Sequence, residues 1–293
     1  MANLKLALRS VYGQDKIDGK GYFPSYMDNV YNHCMKPEHQ AMFNHGSGCE
    51  LESKAAAVHS SSMLSYNFFS WIDEQHPFEW DGVCYTKVYF EVQLRTLSCR
   101  SNPANMDVVL EGSHYGKRVL LFIESKFLEY MSHGRAELSP SYLNPDNYYV
   151  KYCWDSVAYE VRIYGHQSGR YNEGIKQSFC HLVALDALHS EKALAWFNKN
   201  NILQIENIDD VEIRFINAIF NPHPDYKKEH DAYTAYKELY NWFQVFIKSL
   251  VEWSIQPQWY SYTDLWKIIR LQIKDSNRID YLQKKYMDFA SHV

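Results

Sequence analysis

The sequence predicts an α/β fold with a mixed central sheet and a helical extension at its C-terminus. A segment of helical periodicity precedes three consecutive apolar strand candidates, and a second helical segment and a fourth strand candidate follow them. Hydrophobic residues make up 46% of the 293 positions, which is ample for a buried core. Helices and strands in this order are typical of one layered domain built around a sheet.

The first 45 residues are the least regular part of the sequence. Glycine and proline interrupt them, and only a short helix near residues 27–35 is expected. We predict that this segment wraps a core supplied by later residues. After the loop Gly46-Ser47-Gly48, apolar residues recur near helical spacing and predict a helix from about Glu50 to Asp73.

The following segment predicts the sheet. The tetrapeptide SHYG is short enough to join two of its strands as a hairpin. Residues 130–158, rich in Tyr, Asn and Pro, predict weak structure, and YEVRIYG after them fits a short strand or a helix. The predicted strands cover residues 84–97, 105–112, 117–127 and 211–220, with a strong helix over 170–197 before the last of them.

The sequence beyond Pro222 predicts helices, the last one starting at about Tyr262. Aromatic residues cluster there at helical spacing, which is typical of a stripe that faces the core. The chain therefore divides into three segments: a wrapping segment (1–45), a core built around the sheet (46–221) and an aromatic-rich extension packed on that core (222–293). The extension is also the surface we expect to serve a homodimer or a partner protein.

Charge and cysteine content limit the classes of function. The net charge of −5 lacks the basic footprint of a nucleic-acid coat protein, so any contact with nucleic acid must be local. Six widely spaced cysteines without a CxxC pair argue against a zinc ribbon and predict reduced, buried thiols. Lys5 and Arg9 interrupt any secretory leader, and no apolar run could span a membrane. We therefore expect a cytoplasmic protein without a membrane partner.

Two charges at the end of an apolar strand give the first indication of function. Residues 119–123 are all apolar, and Glu124 and Lys126 follow at once. Side chains two positions apart share one face of a strand, and an uncompensated charge in a sheet interior is costly. Asp107 opens the apolar run of the preceding strand, and hairpin pairing would place it beside Glu124. Two carboxylates that converge with an ammonium group can form a divalent-metal site with a charged catalytic partner.

This combination of residue types suits phosphodiester hydrolysis. Mg²⁺ takes oxygen ligands, usually one or two carboxylates together with water and substrate phosphate, and Mn²⁺ can substitute for it. A bound ion orients a hydroxide nucleophile and stabilises charge on the phosphate, and a nearby lysine can stabilise the pentavalent phosphorus or deprotonate the water.

The pattern Asp107, 16 intervening residues, then Glu124-Ser125-Lys126 resembles the signature of the PD-(D/E)XK, or restriction-endonuclease-like, nuclease superfamily. The predicted order of elements is similar to the αβββαβ core of that superfamily. The resemblance covers about residues 46–220, and only the charged constellation is specific. Met106 stands where many members have proline, and the stretch from 128 to 170 is longer than a minimal core.

The resemblance implies roles for individual residues. Asp107 and Glu124 would be metal ligands, the backbone carbonyl of Ser125 a further ligand, and Lys126 the catalytic lysine. The helix before the strands often adds a glutamate, for which Glu50 is the candidate and Glu52 the competitor. The helix after them often adds a polar residue, here Gln177 with Lys176 beside it. The substrate implied is nucleic acid, DNA ahead of RNA.

Two other classes of function compete with a nuclease. One is a binding module for nucleic acid or protein on the same scaffold, without catalysis. The other is a glycoside hydrolase with paired carboxylates, which leaves Lys126 unexplained. Glu91 is predicted to be a paired surface charge, and His181 a structural or solvent-facing side chain.

Overall fold

The structure is a computed structural model that describes most of the chain. The described residues are 16–128, 137–150, 153–168, 172–221, 230–250, 253 and 255–288.

A six-stranded mixed sheet forms the centre of the fold, with the strands in sequence order from one edge to the other. The first four strands pair antiparallel, and the last two add in parallel. The strands are β1 (Phe78–Trp80), β2 (Val83–Leu94), β3 (Ala104–His114), β4 (Lys117–Lys126), β5 (Val211–Ile219) and β6 (Gln258–Ser261). Four of them are the predicted strands, with boundaries shifted by a few residues.

Helices cover both faces of this sheet. They are α1 (Pro37–His45), α2 (Glu50–Ser53), α3 (Ser61–Phe69), α4 (Trp154–Ser168), α5 (Asn172–Ala187), α6 (Glu191–Asn200), α7 (His230–Lys248), α8 (Tyr262–Ile269) and α9 (Ser276–Leu282). The side chain of Ser125 contacts the start of α3, whereas its neighbour Glu124 faces α5. Since consecutive residues of a strand point to opposite faces, α3 and α5 lie on opposite sides of the sheet. The fold is therefore α/β, as predicted.

The turn between β3 and β4 fixes the register of the hairpin. Tyr115 and Gly116 both have positive φ angles, 49° and 81°, as a two-residue type I′ turn requires. The strands pair from His114 opposite Lys117 to Val108 opposite Ile123 without a shift. The hairpin predicted from SHYG is confirmed.

The predicted helix from Glu50 to Asp73 is wrong in its middle. The chain forms the single turn α2, leaves the helical conformation over residues 54–60, and starts again at α3. The side-chain amide of Asn29 donates hydrogen bonds of 2.8 Å to the carbonyls of Ala55 and of Ala57. These tertiary bonds occupy the carbonyls that a continuous helix would use, and Ser60 then caps α3 through Met63.

Other boundaries also differ from the predictions. Short 3₁₀ turns at Tyr26–Asn29 and Tyr31–His33 replace the helix expected near residues 27–35, and α1 was not predicted. YEVRIYG lies within α4, and the helix expected over 170–197 is divided into α5 and α6. The described part of 130–158 contains 3₁₀ turns at Pro140–Leu143 and Pro145–Asn147, while residues 129–136 and 151–152 lie outside the described chain.

The cysteines are less buried than predicted. All six are free thiols, but Cys34, Cys49, Cys99 and Cys153 are exposed and the other two are partly buried. Their wide spacing in the sequence carried no information about burial, so their interpretation as buried hydrophobic side chains was wrong.

The C-terminal residues take part in the core. Phe243, Phe246 and Trp266 are buried, which confirms the core-facing aromatic stripe, and β6 adds a strand that the sequence did not predict. Apolar residues from all three predicted segments, such as Val30 and Leu120, belong to one buried cluster. No helix within the described residues is long and apolar enough to cross a membrane. The division into three segments and a role of the extension in dimerisation stay predictions.

Candidate active site

Asp107 and Glu124 lie opposite each other at the end of the β3–β4 hairpin that is remote from the turn, which we name the open end. The register pairs Val108 with Ile123, so the next position pairs Asp107 with Glu124. Regular backbone pairing stops there, and Oδ2 of Asp107 instead accepts a hydrogen bond of 2.6 Å from the backbone N–H of Ser125. The hairpin thus brings the two carboxylates together, as the sequence predicted.

Glu124 and Lys126 form a buried ion pair on the same face. Nζ of Lys126 lies 2.6 Å from Oε1 of Glu124, and both residues are less than 9% exposed. The apolar run before them fills the sheet interior, so the pair is held where water has little access. The two charges attract each other strongly there, because the interior screens them weakly. The pair is favourable only with good geometry, because burial removes the hydration of both groups.

Ser125 separates the two faces of the sheet at this point. Its hydroxyl lies 2.7 Å from the hydroxyl of Tyr262, on the face opposite to Glu124. The N–H and the carbonyl of one strand residue point to the same neighbouring strand. Since the N–H of Ser125 donates to Asp107, its carbonyl also points toward the β3 side. The backbone of Ser125, rather than its side chain, is therefore the part available to a metal ion.

Glu91 of β2 extends the row of carboxylates, and its prediction as a surface charge is wrong. The pairs Phe90–Val108 and Val92–Met106 place it opposite Asp107, and it is only 7% exposed. Its φ of +52° is unusual for a strand residue other than glycine and interrupts the backbone pairing. Such strain persists only where the surroundings impose it, and it concentrates at functional sites.

The Gly46-Ser47-Gly48 loop holds Glu91 in place through Asn105. The hydroxyl of Ser47 donates to Oδ1 of Asn105 over 2.9 Å, and Nδ2 of Asn105 donates to Oε2 of Glu91 over 3.0 Å. The loop approaches so closely that a Cβ on Gly46 would lie 2.8 Å from Cβ of Glu91. The loop thus supports a buried carboxylate beside Asp107.

Two carboxyl groups of the open end, those of Glu91 and Asp107, have raised pKa values. Burial, followed by the negative charges of Glu50 and Glu124, raises the pKa of Glu91 from 4.5 to about 7. Burial and the charges of Glu124 and Glu91 raise the pKa of Asp107 well above its usual range, and the opposing effect of Lys126 is smaller. Among the residues that the structure describes, negative charge at this site therefore exceeds positive charge.

The structure distinguishes between the two candidate glutamates of the first helix. The side chain of Glu50 is only 12% exposed and its charge acts on Glu91, whereas Glu52 is exposed. A partner of Glu50, Lys54, lies 3.8 Å away with a largely exposed side chain. Glu50 thus lies at the margin of the site, next to Glu91 rather than between Asp107 and Glu124.

Helix α5 packs over the face of the sheet that carries Glu124 and contributes three polar side chains. Ser178 donates a hydrogen bond of 2.8 Å to Asn217, the neighbour of Glu124 on β5, and so ties the helix to the sheet. His181 is buried, with Nδ1 3.2 Å from Oε2 of Glu124. Of the two alternatives predicted for it, a solvent-facing side chain is wrong and a structural one is compatible with its burial. Gln177 lies one helical turn earlier, and its buried Oε1 has no hydrogen-bond partner among the described residues.

The donor set fits a hard divalent cation. Within the described residues, no group of three or more His, Cys, Asp or Glu side chains is arranged to hold a metal ion. Mg²⁺ needs fewer side chains, because it usually binds one or two carboxylates and keeps several water ligands. Asp107, Glu124 and the Ser125 carbonyl meet that requirement. A bound cation would also oppose the burial and the neighbouring negative charges that raise the pKa of Asp107.

Two residues of the site were missed for identifiable reasons. Glu91 lies opposite Asp107 on the neighbouring strand, so the two side chains share one face of the sheet. The burial of Glu91, however, depends on the Gly46 loop, which is remote in sequence. His181 follows Gln177 by four residues and therefore lies on the same side of α5. This spacing was the one signal in the sequence that could have linked it to the site.

Comparisons with known proteins return no match to a family model, to a curated protein or to a solved structure.

Proposed function

We propose that the protein is a divalent-metal-dependent nuclease that hydrolyses phosphodiester bonds with a restriction-endonuclease-like core. The observation that carries this proposal is the placement of Asp107 opposite Glu124, with Lys126 2.6 Å from Glu124 on the same face. The order of a helix (α3), three antiparallel strands (β2 to β4), a helix (α5) and a parallel strand (β5) supports it.

The residues that would hold Mg²⁺ or Mn²⁺ are Asp107, Glu124 and the carbonyl of Ser125, with Glu50 at the margin of the site. When bound, the ion lowers the pKa of a water ligand and neutralises charge on the phosphate. Binding would also relieve the repulsion between Asp107, Glu91 and Glu124, so the strain of the metal-free site would favour the bound form.

Lys126 would act on the reacting phosphate. Its ammonium group is held by Glu124 at the edge of the metal site, where it can donate to a phosphate oxygen as negative charge develops there. The same group can orient the attacking water. Gln177, with its unpartnered oxygen, would accept a hydrogen bond from that water or from the substrate.

The substrate class is nucleic acid, with DNA ahead of RNA. Any binding surface must be local because the chain carries a net charge of −5. At the site itself, the bound metal and Lys126 would supply the positive charge that binds the substrate phosphate.

A cleavage assay with purified protein tests this proposal. Single-stranded and duplex DNA and RNA would be incubated with Mg²⁺, Mn²⁺ or excess chelator. We expect cleavage that requires the metal and falls at least about 10²-fold in both Asp107→Ala and Glu124→Ala. Full metal-dependent cleavage by both variants would sink the proposal.

The assay also addresses the binding module. Nucleic-acid binding without turnover, in the wild type and with either metal, would favour that function, in which the Lys126–Glu124 pair is purely structural. Hydrolysis that persists in chelator and acts on glycosides would favour a glycoside hydrolase instead.

A further inference from the structure

His181 presents an unsatisfied nitrogen to Glu124. Its ring is buried, and Nδ1 lies 3.2 Å from Oε2 of Glu124. Despite this proximity, Nδ1 makes no hydrogen bond with any described residue, so the contact lacks the geometry of one. A buried polar atom of this kind is rare in proteins and calls for a ligand or a functional explanation.

The other ring nitrogen determines which form of the imidazole faces Glu124. Burial lowers the pKa of His181, and the nearby backbone of Asn105 acts in the opposite direction. A backbone group that raises the pKa of an imidazole is a carbonyl facing a ring nitrogen, and since Nδ1 has no partner this nitrogen is Nε2. In the neutral ring, with the proton on Nε2, Nδ1 then carries a lone pair. A lone pair then faces a carboxylate oxygen, which is unfavourable unless a cation lies between them.

The arrangement has the features of a metal-binding histidine. Histidines that bind metals usually donate their second ring N–H to a backbone carbonyl or a carboxylate, which fixes the tautomer. The backbone of Asn105, two residues before Asp107, is placed to provide this carbonyl. Ligands at ~2.1 Å and at right angles to each other around an ion are roughly 3 Å apart. The 3.2 Å between Nδ1 and Oε2 matches such a pair of neighbouring ligands.

We propose that Nδ1 of His181 is a direct ligand of the metal ion of this site, together with Oε2 of Glu124. This proposal rests on the proposed nuclease function, since it concerns the ion of the same site. The two oxygens of Glu124 then have separate roles, Oε1 toward Lys126 and Oε2 toward the ion. Within the described residues the side chains of His181, Glu124 and Asp107 do not already surround a common point, so Asp107 would turn toward the ion from the other strand.

A nitrogen ligand changes which ion the site prefers. Mg²⁺ takes oxygen ligands almost without exception, whereas imidazole binds first-row transition ions well. The ratio of the affinity for a transition ion such as Mn²⁺ to that for Mg²⁺ should therefore be larger than at a site made of carboxylates alone. Three protein side chains, one imidazole and two carboxylates, leave positions open for water and a phosphate oxygen, as a catalytic site requires.

Electron spin echo spectroscopy of the Mn²⁺-loaded wild-type protein tests the ligand directly. We expect modulation from a directly coordinated ¹⁴N nucleus. Titration of the free Mn²⁺ signal, with Mg²⁺ as competitor, then gives the two dissociation constants. In His181→Gln we expect the ¹⁴N modulation to disappear and the preference for Mn²⁺ over Mg²⁺ to fall at least about tenfold.

His181→Asn and His189→Gln are the companion variants. Asparagine places an oxygen near the position of Nδ1, so His181→Asn should keep Mn²⁺ binding with a weakened preference and without the ¹⁴N signal. His189 lies just beyond α5 with an exposed side chain, and its replacement should leave both measurements unchanged. Thermal unfolding of each variant establishes that it is folded.

The possible failures are distinguishable. Bound Mn²⁺ without ¹⁴N modulation, or an unchanged ion preference in His181→Gln, would overturn the role of His181 and leave the nuclease proposal intact. Absence of Mn²⁺ and Mg²⁺ binding in the wild type, together with absence of cleavage, would overturn both.

Discussion

The two ends of the β3–β4 hairpin carry charged side chains that differ in how well they are paired. Near the turn, Glu111 accepts hydrogen bonds of 2.6 Å from the hydroxyl of Tyr89 and 2.9 Å from Nε of Arg118. Arg118 also donates to the carbonyl of Gln204 over 2.8 Å. One carboxylate thus meets one guanidinium, and hydrogen bonds occupy both oxygens of the acid.

At the open end, four residues further along the same face of β3, the balance is different. Asp107 lies among Glu91 and Glu124, and the ammonium group of Lys126 is engaged by Glu124. The pKa of Asp107 and that of Glu91 are raised, and the backbone of Glu91 is strained.

We interpret this difference as one between a charge that serves the structure and charges that serve a function. A charge that is matched and hydrogen-bonded in the native state stabilises that state, or at least does not oppose it. Surplus carboxylates destabilise the metal-free fold and gain stability only when a cation binds. Neutralising a carboxylate should therefore have opposite consequences at the two ends.

Asp107→Asn should show the largest effect. We expect cleavage to fall about 10²-fold to 10³-fold, since a ligand of the ion is weakened. The metal-free variant should nevertheless be more stable than the wild type by about 1 kcal/mol, because a carboxylate with a raised pKa is replaced by a neutral amide. Chemical denaturation in chelator measures this change. A less stable variant would mean that the negative charge of Asp107 is already compensated.

Glu111→Gln is the matched control on the same strand. Loss of its charge-assisted hydrogen bonds should cost about 1–3 kcal/mol of unfolding free energy. Cleavage at a temperature where the variant is folded should stay within about threefold of the wild type. A loss of activity as large as that of Asp107→Asn would show that the two ends are not functionally distinct.

The pH dependence of stability sharpens the comparison further. Since the pKa of Glu91 is about 7 in the fold, the folded state binds its proton more tightly than the unfolded state. The contribution of Glu91 to stability in chelator should therefore fall as pH rises from about 4.5 to 7 and then level off. In Glu91→Gln this decrease should shrink by an amount on the order of 2 kcal/mol. Denaturation curves across that pH range measure the loss of stability, with Glu111→Gln as the control. An unchanged pH profile in Glu91→Gln would contradict a raised pKa of Glu91.

Gly46→Ala should have the smallest effect. The added Cβ would lie 2.8 Å from Cβ of Glu91, so the loop or the carboxylate must move, at a cost of about 1 kcal/mol. Gly48→Ala is the control, because its Cβ would be 3.6 Å from the nearest atom, an ordinary contact. Equal thermal stability of the two variants would show that the loop does not press on Glu91.

Local patterns predicted the sheet well and the helices less well. The strands and the turn at Tyr115-Gly116 follow from alternating apolar residues and a short polar connection, which are properties of neighbouring residues. The break before α3 follows from Asn29, which bonds to Ala55 and Ala57 from more than 25 residues away. An alanine run with high helix propensity gives no indication of such a contact.

The candidate site divides in the same way. Hairpin pairing relates Asp107 to Glu124, and strand periodicity relates Glu124 to Lys126, so the sequence could place these three together. Glu91 and His181 depend on how the Gly46 loop and helix α5 dock against the sheet. The long stretch before α5 left its orientation undetermined, and no local pattern reports which face of that helix meets Glu124.

A crystal of the protein soaked in Mn²⁺, with diffraction measured at the manganese absorption edge, tests most directly whether the open end holds an ion. We expect an anomalous peak within ~2.0–2.4 Å of carboxylate oxygens of Asp107 and Glu124, with Lys126 adjacent. No peak at these carboxylates, with Glu124 still paired only with Lys126, would contradict a metal site and would identify the charged end of β4 as a structural ion pair.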